Sequence, residues 1–244
     1  MTELTSQTLA QIVTSNHRSA TVFEKYSLDF CCKGKRSLQQ ACAEQNISID
    51  ELLPQLENVS KNRDTAFPYD KLSLTQLTDH IVSTHHAYVK KEAPQIAAYL
   101  QKVAFKHGNR HPVLNKIFEL FTIVKEEMEQ HMRKEEGVLF PRIREVEDYS
   151  AKQHEQIKFD LAYLQSPIYM METEHEHAGS LMNAIRKLTN NYTPPQDACT
   201  TYKLSFAALQ EFEEDLHQHV HLENNLLFPK AIALFKSYRH LLGN

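Results

Sequence analysis

Residues 126–142 read EEMEQHMRKEEGVLFPR, and residues 214–230 read EDLHQHVHLENNLLFPK. At a constant offset of 88 residues, seven positions are identical: Glu126/Glu214, Gln130/Gln218, His131/His219, Glu135/Glu223, Leu139/Leu227, Phe140/Phe228 and Pro141/Pro229. The shared core is H-x-x-x-E-x-x-x-L-F-P. Residues i and i+4 of a helix lie about 40° apart and about 6 Å along the axis. His131 and Glu135 therefore project from one face, as do His219 and Glu223. A single such pair carries little weight. Two copies in the same longer context on two long helices point to a metal site, with Leu139 and Phe140 leading into an apolar layer.

Working outward, the chain from residue 72 is long, periodic and helical. Helices are expected over about 73–105 with a bend at Pro94, 112–146, 170–189 and 197–235. HGNRHP (107–112) and NNYTPPQDAC (190–199) read as loops. Residues 147–170 are ambiguous, with QIKFDLAYL helical in pattern and Pro167 expected to interrupt it. Four long helices with short connections predict an all-α, antiparallel four-helix bundle over 72–244. Residues 1–60 read as a small helical domain, with Ser48 and Glu51 in capping-box register. Residues 61–71 are polar, contain Pro68, and read as a linker.

Composition narrows the function. Of the 244 residues only 5 are glycine and 14 are histidine. So little glycine argues against all-β folds and phosphate-binding loops, and no G-x-x-x-x-G-K-[ST], G-x-G-x-x-G or G-x-S-x-G is present. A net charge of −4 gives no footprint for nucleic acid. No apolar run suits a membrane span, and the first residues carry no secretory pattern, so a cytoplasmic location is expected. Four cysteines are too few for a disulfide scaffold.

The other half of the metal site should come from the remaining two helices. THHAYVKKEAP (84–94) offers His85 and His86, and METEHEHAG (171–179) offers His175 and His177. His86 precedes His131 by 45 residues and His175 precedes His219 by 44. Each half of the bundle then supplies one isolated His and one His/Glu pair. Four imidazoles and two carboxylates are borderline-to-hard ligands suited to two iron ions. The set is richer in nitrogen than Glu-x-x-His carboxylate sites.

Around these motifs, several side chains invite a reading. Cys31 and Cys32 form an adjacent thiol pair, and Lys33, Lys35 and Arg36 are expected to favour thiolate. Cys42 and Cys199 read as core or loop residues. His217 and His221 flank His219 at i±2 and are expected to be exposed. Glu136 is expected to face away, and Glu174 and Glu176 to be solvated. Phe118, Leu120, Phe121 and Val124 read as bundle core.

The duplicated motif resembles the hemerythrin-like domain. LDFCCKGKRSLQQAC (28–42), METEHEHAG, TPPQDACTTY (193–202) and HLENNLLFP (221–229) further resemble the ScdA/YtfE-type family, for repair of iron centres. That resemblance covers almost the whole chain and implies His86, His131, Glu135, His175, His219 and Glu223 as ligands. His86 is chosen over His85 by an H-x₇-P spacing to Pro94 and by the 45-residue gap, and His175 over His177 by E-H-x-x-A-G. It implies two iron ions per chain bridged by Glu135, Glu223 and an oxo or hydroxo group. His86 and His131 would then hold one iron, and His175 and His219 the other. It implies repair of iron–sulfur clusters after nitrosative or oxidative stress, with damaged iron–sulfur proteins as clients and nitric oxide or O₂ as small ligands. A sensor or carrier, or a nitric oxide reductase, are the alternative activities. A homodimer is expected because the N-terminal unit is small. Two departures stand out: Lys33 occupies a position where the family commonly has Gly, and the 145–170 segment is longer than usual.

Overall fold

The computed structural model describes residues 2–60, 68–151 and 160–241. Among them there is no strand, and the elements are helices. Five short helices come first: α1 (Thr2–Ser6), α2 (Leu9–Ser15), α3 (Ser19–Lys25), α4 (Leu38–Gln45) and α5 (Ile49–Ser60). Thr8 with Gln11 caps α2, and Ser37 with Gln40 caps α4, each as a reciprocal capping box. Most of the expected linker, 61–67, lies outside the described residues, and Tyr69–Lys71 form a 3₁₀ turn.

Four long helices follow. The first joins α6 (Leu74–Ile81), a π-turn at Val82–His86 and α7 (Ala87–His107). The second joins α8 (Val113–Lys134), a π-turn at Glu135–Leu139 and α9 (Phe140–Ala151). The third is α10 (Ala162–Leu188), without a π-turn. The fourth joins α11 (Thr200–Leu222), a π-turn at Glu223–Leu227 and α12 (Phe228–Leu241). Ser73 and Gln76 cap the first helix, and the Glu147 carboxylate accepts from the Leu74 and Thr75 amides at 2.7 and 2.9 Å.

Prolines explain where the expected helices were too short or bent. Proline lacks an N–H and leaves the carbonyl four residues earlier without its partner. Pro167 was expected to interrupt the third helix, yet it lies inside α10. The orphaned carbonyl, Tyr163 O, accepts from Arg142 Nη1 at 2.9 Å, so the helix starts at Ala162. Pro141 and Pro229 each follow a π-turn, which widens the backbone where an i−4 hydrogen bond is not available. Helices two and four therefore run on through the L-F-P motif. Residues 152–159, which carry part of the QIKFDLAYL stretch, lie outside the described residues.

The core is divided in two. One apolar cluster joins α2–α5 to α7, α8, α11 and the second half of α10, around Phe23, Phe30, Phe121 and Phe212. The other joins α6, α9, α12 and the first half of α10, around Phe140, Phe228 and Phe235. Each of these fully buried rings contributes roughly 1.5–3 kcal/mol. Between the clusters lies a layer of buried polar residues that owes its cohesion to something other than apolar contact.

Candidate metal centre

That layer contains His86, His131, Glu135, His175, His219 and Glu223, none more than 1% exposed. The three π-turns end or begin at candidate ligand positions: His86 closes the first, and Glu135 and Glu223 open the other two. Single π-turns inside α-helices re-aim side chains and recur at functional sites. Here they turn the carboxylates of the i+4 pairs inward.

The six residues form two overlapping groups, each with its donor atoms within 4.8 Å of one another: His86, Glu135, His219 and Glu223, then His131, Glu135, His175 and Glu223. Both carboxylates belong to both groups. Glu135 directs Oε2 toward His86 Nε2 at 3.3 Å and Oε1 toward His131 Nε2 at 3.3 Å. Glu223 directs Oε1 toward His219 Nε2 at 3.0 Å and Oε2 toward His175 Nε2 at 3.0 Å. The pairing of imidazoles differs from the one the resemblance implies. His86 partners His219, and His131 partners His175 with their Nε2 atoms 3.0 Å apart. Helix one packs against both helix two and helix four, and helix two against helix three, so adjacency alone does not choose the pairing; the donor atoms do, by joining His86 to His219 and His131 to His175 across the sequence halves.

Several of these buried atoms lack a hydrogen-bond partner: His86 Nε2, both Glu135 oxygens and Glu223 Oε2 point into the layer, and His219 Nδ1 lies on the far side of a ring whose Nε2 faces Glu223. Buried polar atoms are nearly always paired, and leaving them bare is costly. Convergent orphans on imidazole and carboxylate, with no thiolate among them, fit hard-to-borderline cations.

The far sides of three of the four rings are anchored. His86 Nδ1 donates to Glu136 Oε1 at 2.8 Å, His131 Nδ1 to Glu174 Oε2 at 2.9 Å, and His175 Nδ1 to Asn224 Oδ1 at 2.9 Å. Such bonds hold each ring with Nδ1 outward and Nε2 turned toward the two carboxylates. Lys90 and Lys134 bind Glu136 and Glu174 in turn at the surface. Glu136 therefore does not face away, and Glu174 orients His131 instead of standing solvated. His131 and Lys134 hold the Glu174 pKa down at about 2. Burial pushes the His131 imidazole down, but Glu135 and Glu174 outweigh it and raise its pKa to about 10. Burial opposes ionisation of Glu223, yet His219 and His175 keep its pKa well below the usual carboxylate range.

The repeat carries a signal for these partners. Glu136 and Asn224 occupy equivalent positions at the 88-residue offset, each just after a carboxylate ligand. His85 and Glu174, 89 residues apart, each stand just before one of the isolated histidines. Glu174 bonds His131, while His85 stacks on His219 with centroids 5.7 Å apart and donates to Asp215 at 2.8 Å. His85 is thus outside both groups, and His177 is exposed and paired with Glu127. Phe140 stacks on His86 and Phe228 on His175, closing the layer against the second apolar cluster.

The short helices reach the same layer. His221 is buried, not exposed, with Phe30 against its ring, and desolvation lowers its pKa to about 4. His217 is largely covered and bonds Glu24. Cys31 is buried and its thiol donates toward Asp29 and Cys32. The Cys32 bond, desolvation and the Asp29 charge push its pKa well above the ordinary value. Lys33 and Lys35 are exposed and do not offset this rise at Cys31. Cys42 is buried on α4, and Cys199 stands half-buried before α11 with Sγ 3.3 Å from His107 Nε2.

Comparison with known proteins matches this architecture. The hemerythrin HHE cation-binding domain model matches residues 77–231, and a domain of unknown function, ScdA_N, matches residues 5–60. The iron-sulfur cluster repair protein YtfE of Enterobacter sp. (strain 638) is 33% identical over 231 residues, covering 93% of this chain and 97% of the relative. The YtfE protein of Escherichia coli O81 (strain ED1a) matches to the same extent. The chain belongs to the YtfE family of hemerythrin-domain proteins. The YtfE-type combination of a ScdA_N segment and a hemerythrin domain spans both apolar clusters. Among the described residues no helix is long and apolar enough to cross a membrane.

Proposed function

We propose that this chain is a di-iron protein that repairs damaged iron–sulfur clusters. The observation that supports this reading is that Glu135 and Glu223 each belong to two groups of buried donors, so that six residues would serve two adjacent metal positions. The names of the YtfE relatives support the repair role. When bound, a ferrous pair would supply exchangeable iron and two neighbouring sites for small ligands such as nitric oxide.

The chain's own residues prepare that chemistry. Glu136, Glu174 and Asn224 hold three imidazoles with Nε2 turned inward. Phe140 and Phe228 exclude water from one side. His131, flanked by Glu135 and Glu174, holds a proton at neutral pH when no cation competes. His131 Nε2 would have to give up that proton to hold a cation, which would link occupancy of the site to pH. Damaged iron–sulfur proteins are the clients under this reading, and iron is the cargo.

The test mixes iron-loaded protein, without oxygen, with an iron–sulfur enzyme whose cluster has been damaged by nitric oxide. Recovery of the cluster's absorption and of client activity, with matching loss of iron from this chain, is expected. Glu135→Gln should give no recovery. Steady formation of nitrous oxide without iron transfer would replace repair by nitric oxide reduction. A stable nitrosyl adduct with neither outcome would mark a sensor.

A further inference from the structure

Outside the His/Glu layer, one other group of metal-ligating side chains converges among the described residues. A carboxylate oxygen of Asp29 and the Sγ atoms of Cys31 and Cys32 lie within 4.8 Å of one another. The loop that presents them is tightly built. Asp29 Oδ1 accepts from the amides of Cys31, Cys32 and Lys33 at 3.2, 2.9 and 3.2 Å. Arg36 donates to the Asp29 and Lys33 carbonyls. Gly34 lies so close that a Cβ there would meet Phe30 O at 2.2 Å. Asn225 Nδ2, from the π-turn that begins at Glu223, donates to Cys31 O at 3.0 Å. A Cβ on Gly179, one turn beyond His175 on α10, would sit 4.0 Å from Cys32 Sγ. The thiol loop is therefore tied by Asn225 to the fourth long helix, and Cys32 lies beside α10 at Gly179.

The two sulfurs are 3.9 Å apart. Tetrahedral coordination with metal–sulfur bonds of ~2.3 Å separates two sulfur ligands by about 3.8 Å. We propose that Asp29, Cys31 and Cys32 form a further metal site, for a borderline or soft divalent cation such as ferrous iron. Binding exchanges protons for metal: one M²⁺ replaces the thiol protons of Cys31 and Cys32, two protons leave to solvent, and no electron moves. The resulting charge is −1, from two thiolates and one carboxylate against the cation. Three protein ligands leave one coordination position open, unlike a closed structural site. Asp29 and Cys32 are half-exposed, so an incoming thiolate can take that position. As a station for iron passing to a client, the site rests on the repair reading. As a metal site it stands on its own residues.

The test titrates anaerobic, iron-loaded full-length protein with cobalt(II), while the iron content is measured separately. One further equivalent per chain, thiolate-to-cobalt charge-transfer absorption and release of two protons are expected. Cys31→Ser with Cys32→Ser should abolish all three signals and leave the iron content unchanged. Asp29→Asn keeps an oxygen for the three amides and should weaken cobalt binding at least about tenfold. No thiolate absorption in the unmodified protein, or absorption that survives the double substitution, would overturn the site. A cobalt signal in a chain that never takes up iron in the His/Glu layer would overturn the repair reading and leave this site standing.

Discussion

Replacing a shared ligand should cost more metal than replacing an unshared one. Glu135 contributes one oxygen to each group, whereas His86 belongs to one group alone. Glu135→Gln removes an anionic donor from both metal positions and leaves each with two imidazoles and one carboxylate. His86→Gln leaves the group of His131, His175 and the two carboxylates intact. Iron should fall from about two per chain to below about one in Glu135→Gln, and to about one in His86→Gln, given the donor sets this metal needs. Stability should follow. A cation at a thousand times its Kd stabilises by ≈4.1 kcal/mol, so two positions contribute on the order of 8 kcal/mol. For a chain of this size 1 kcal/mol moves Tm by ≈2–4 °C. Chelation should then lower the unmodified protein's Tm by roughly 15–30 °C, His86→Gln by about half as much, and Glu135→Gln by almost nothing. Elemental analysis and thermal melts with and without chelator read both quantities. Equal iron loss in the two variants, or two irons retained in Glu135→Gln, would refute the shared-carboxylate geometry.

Three further outcomes follow from other parts of the structure. Glu174→Gln weakens the acceptor on His131 Nδ1 and should lower iron affinity about 10–100-fold without unfolding the chain, read by competition with a chelator. His221 has a folded pKa of about 4, below its unfolded value of ≈6.5, so the unfolded chain binds the extra proton between them. Stability should fall as pH drops through that window, by about 3 kcal/mol in all, and His221→Gln should flatten the slope in urea melts from pH 7 to 4. Gly34→Ala forces the Cys loop away from Phe30 O and should cost about 1–3 kcal/mol, seen as a lower midpoint in denaturant melts.

The bundle and its ligand motif were legible because they rest on local periodicity and on a repeat. The spacing of His131 to Glu135 and of His219 to Glu223 states which side chains share a helix face. It does not state which imidazoles face one another, and the folded chain brings His86 to His219 and His131 to His175 across the sequence halves. The anchors Glu136 and Glu174 were hidden for the same reason. Each sits beside a ligand in sequence, but its partner lies on another helix. The equivalence of Glu136 with Asn224 was available in the repeat as a clue. His221 read as exposed because a helix wheel for α11 knows nothing of Phe30 packing over it from the short helices. The Cys31 thiol was misjudged because the sequence shows Lys33, Lys35 and Arg36 but not the burial and Asp29 contact that dominate. Pro167 was read as a break because Arg142, which satisfies the freed Tyr163 carbonyl, is 21 residues away along the chain.

The most direct test is elemental analysis with Mössbauer spectroscopy on anaerobically purified protein reconstituted with ferrous iron. About two irons per chain in an electronically coupled pair is the result the His/Glu geometry requires. Iron that stays near zero after reconstitution, or a single uncoupled iron per chain, would contradict it.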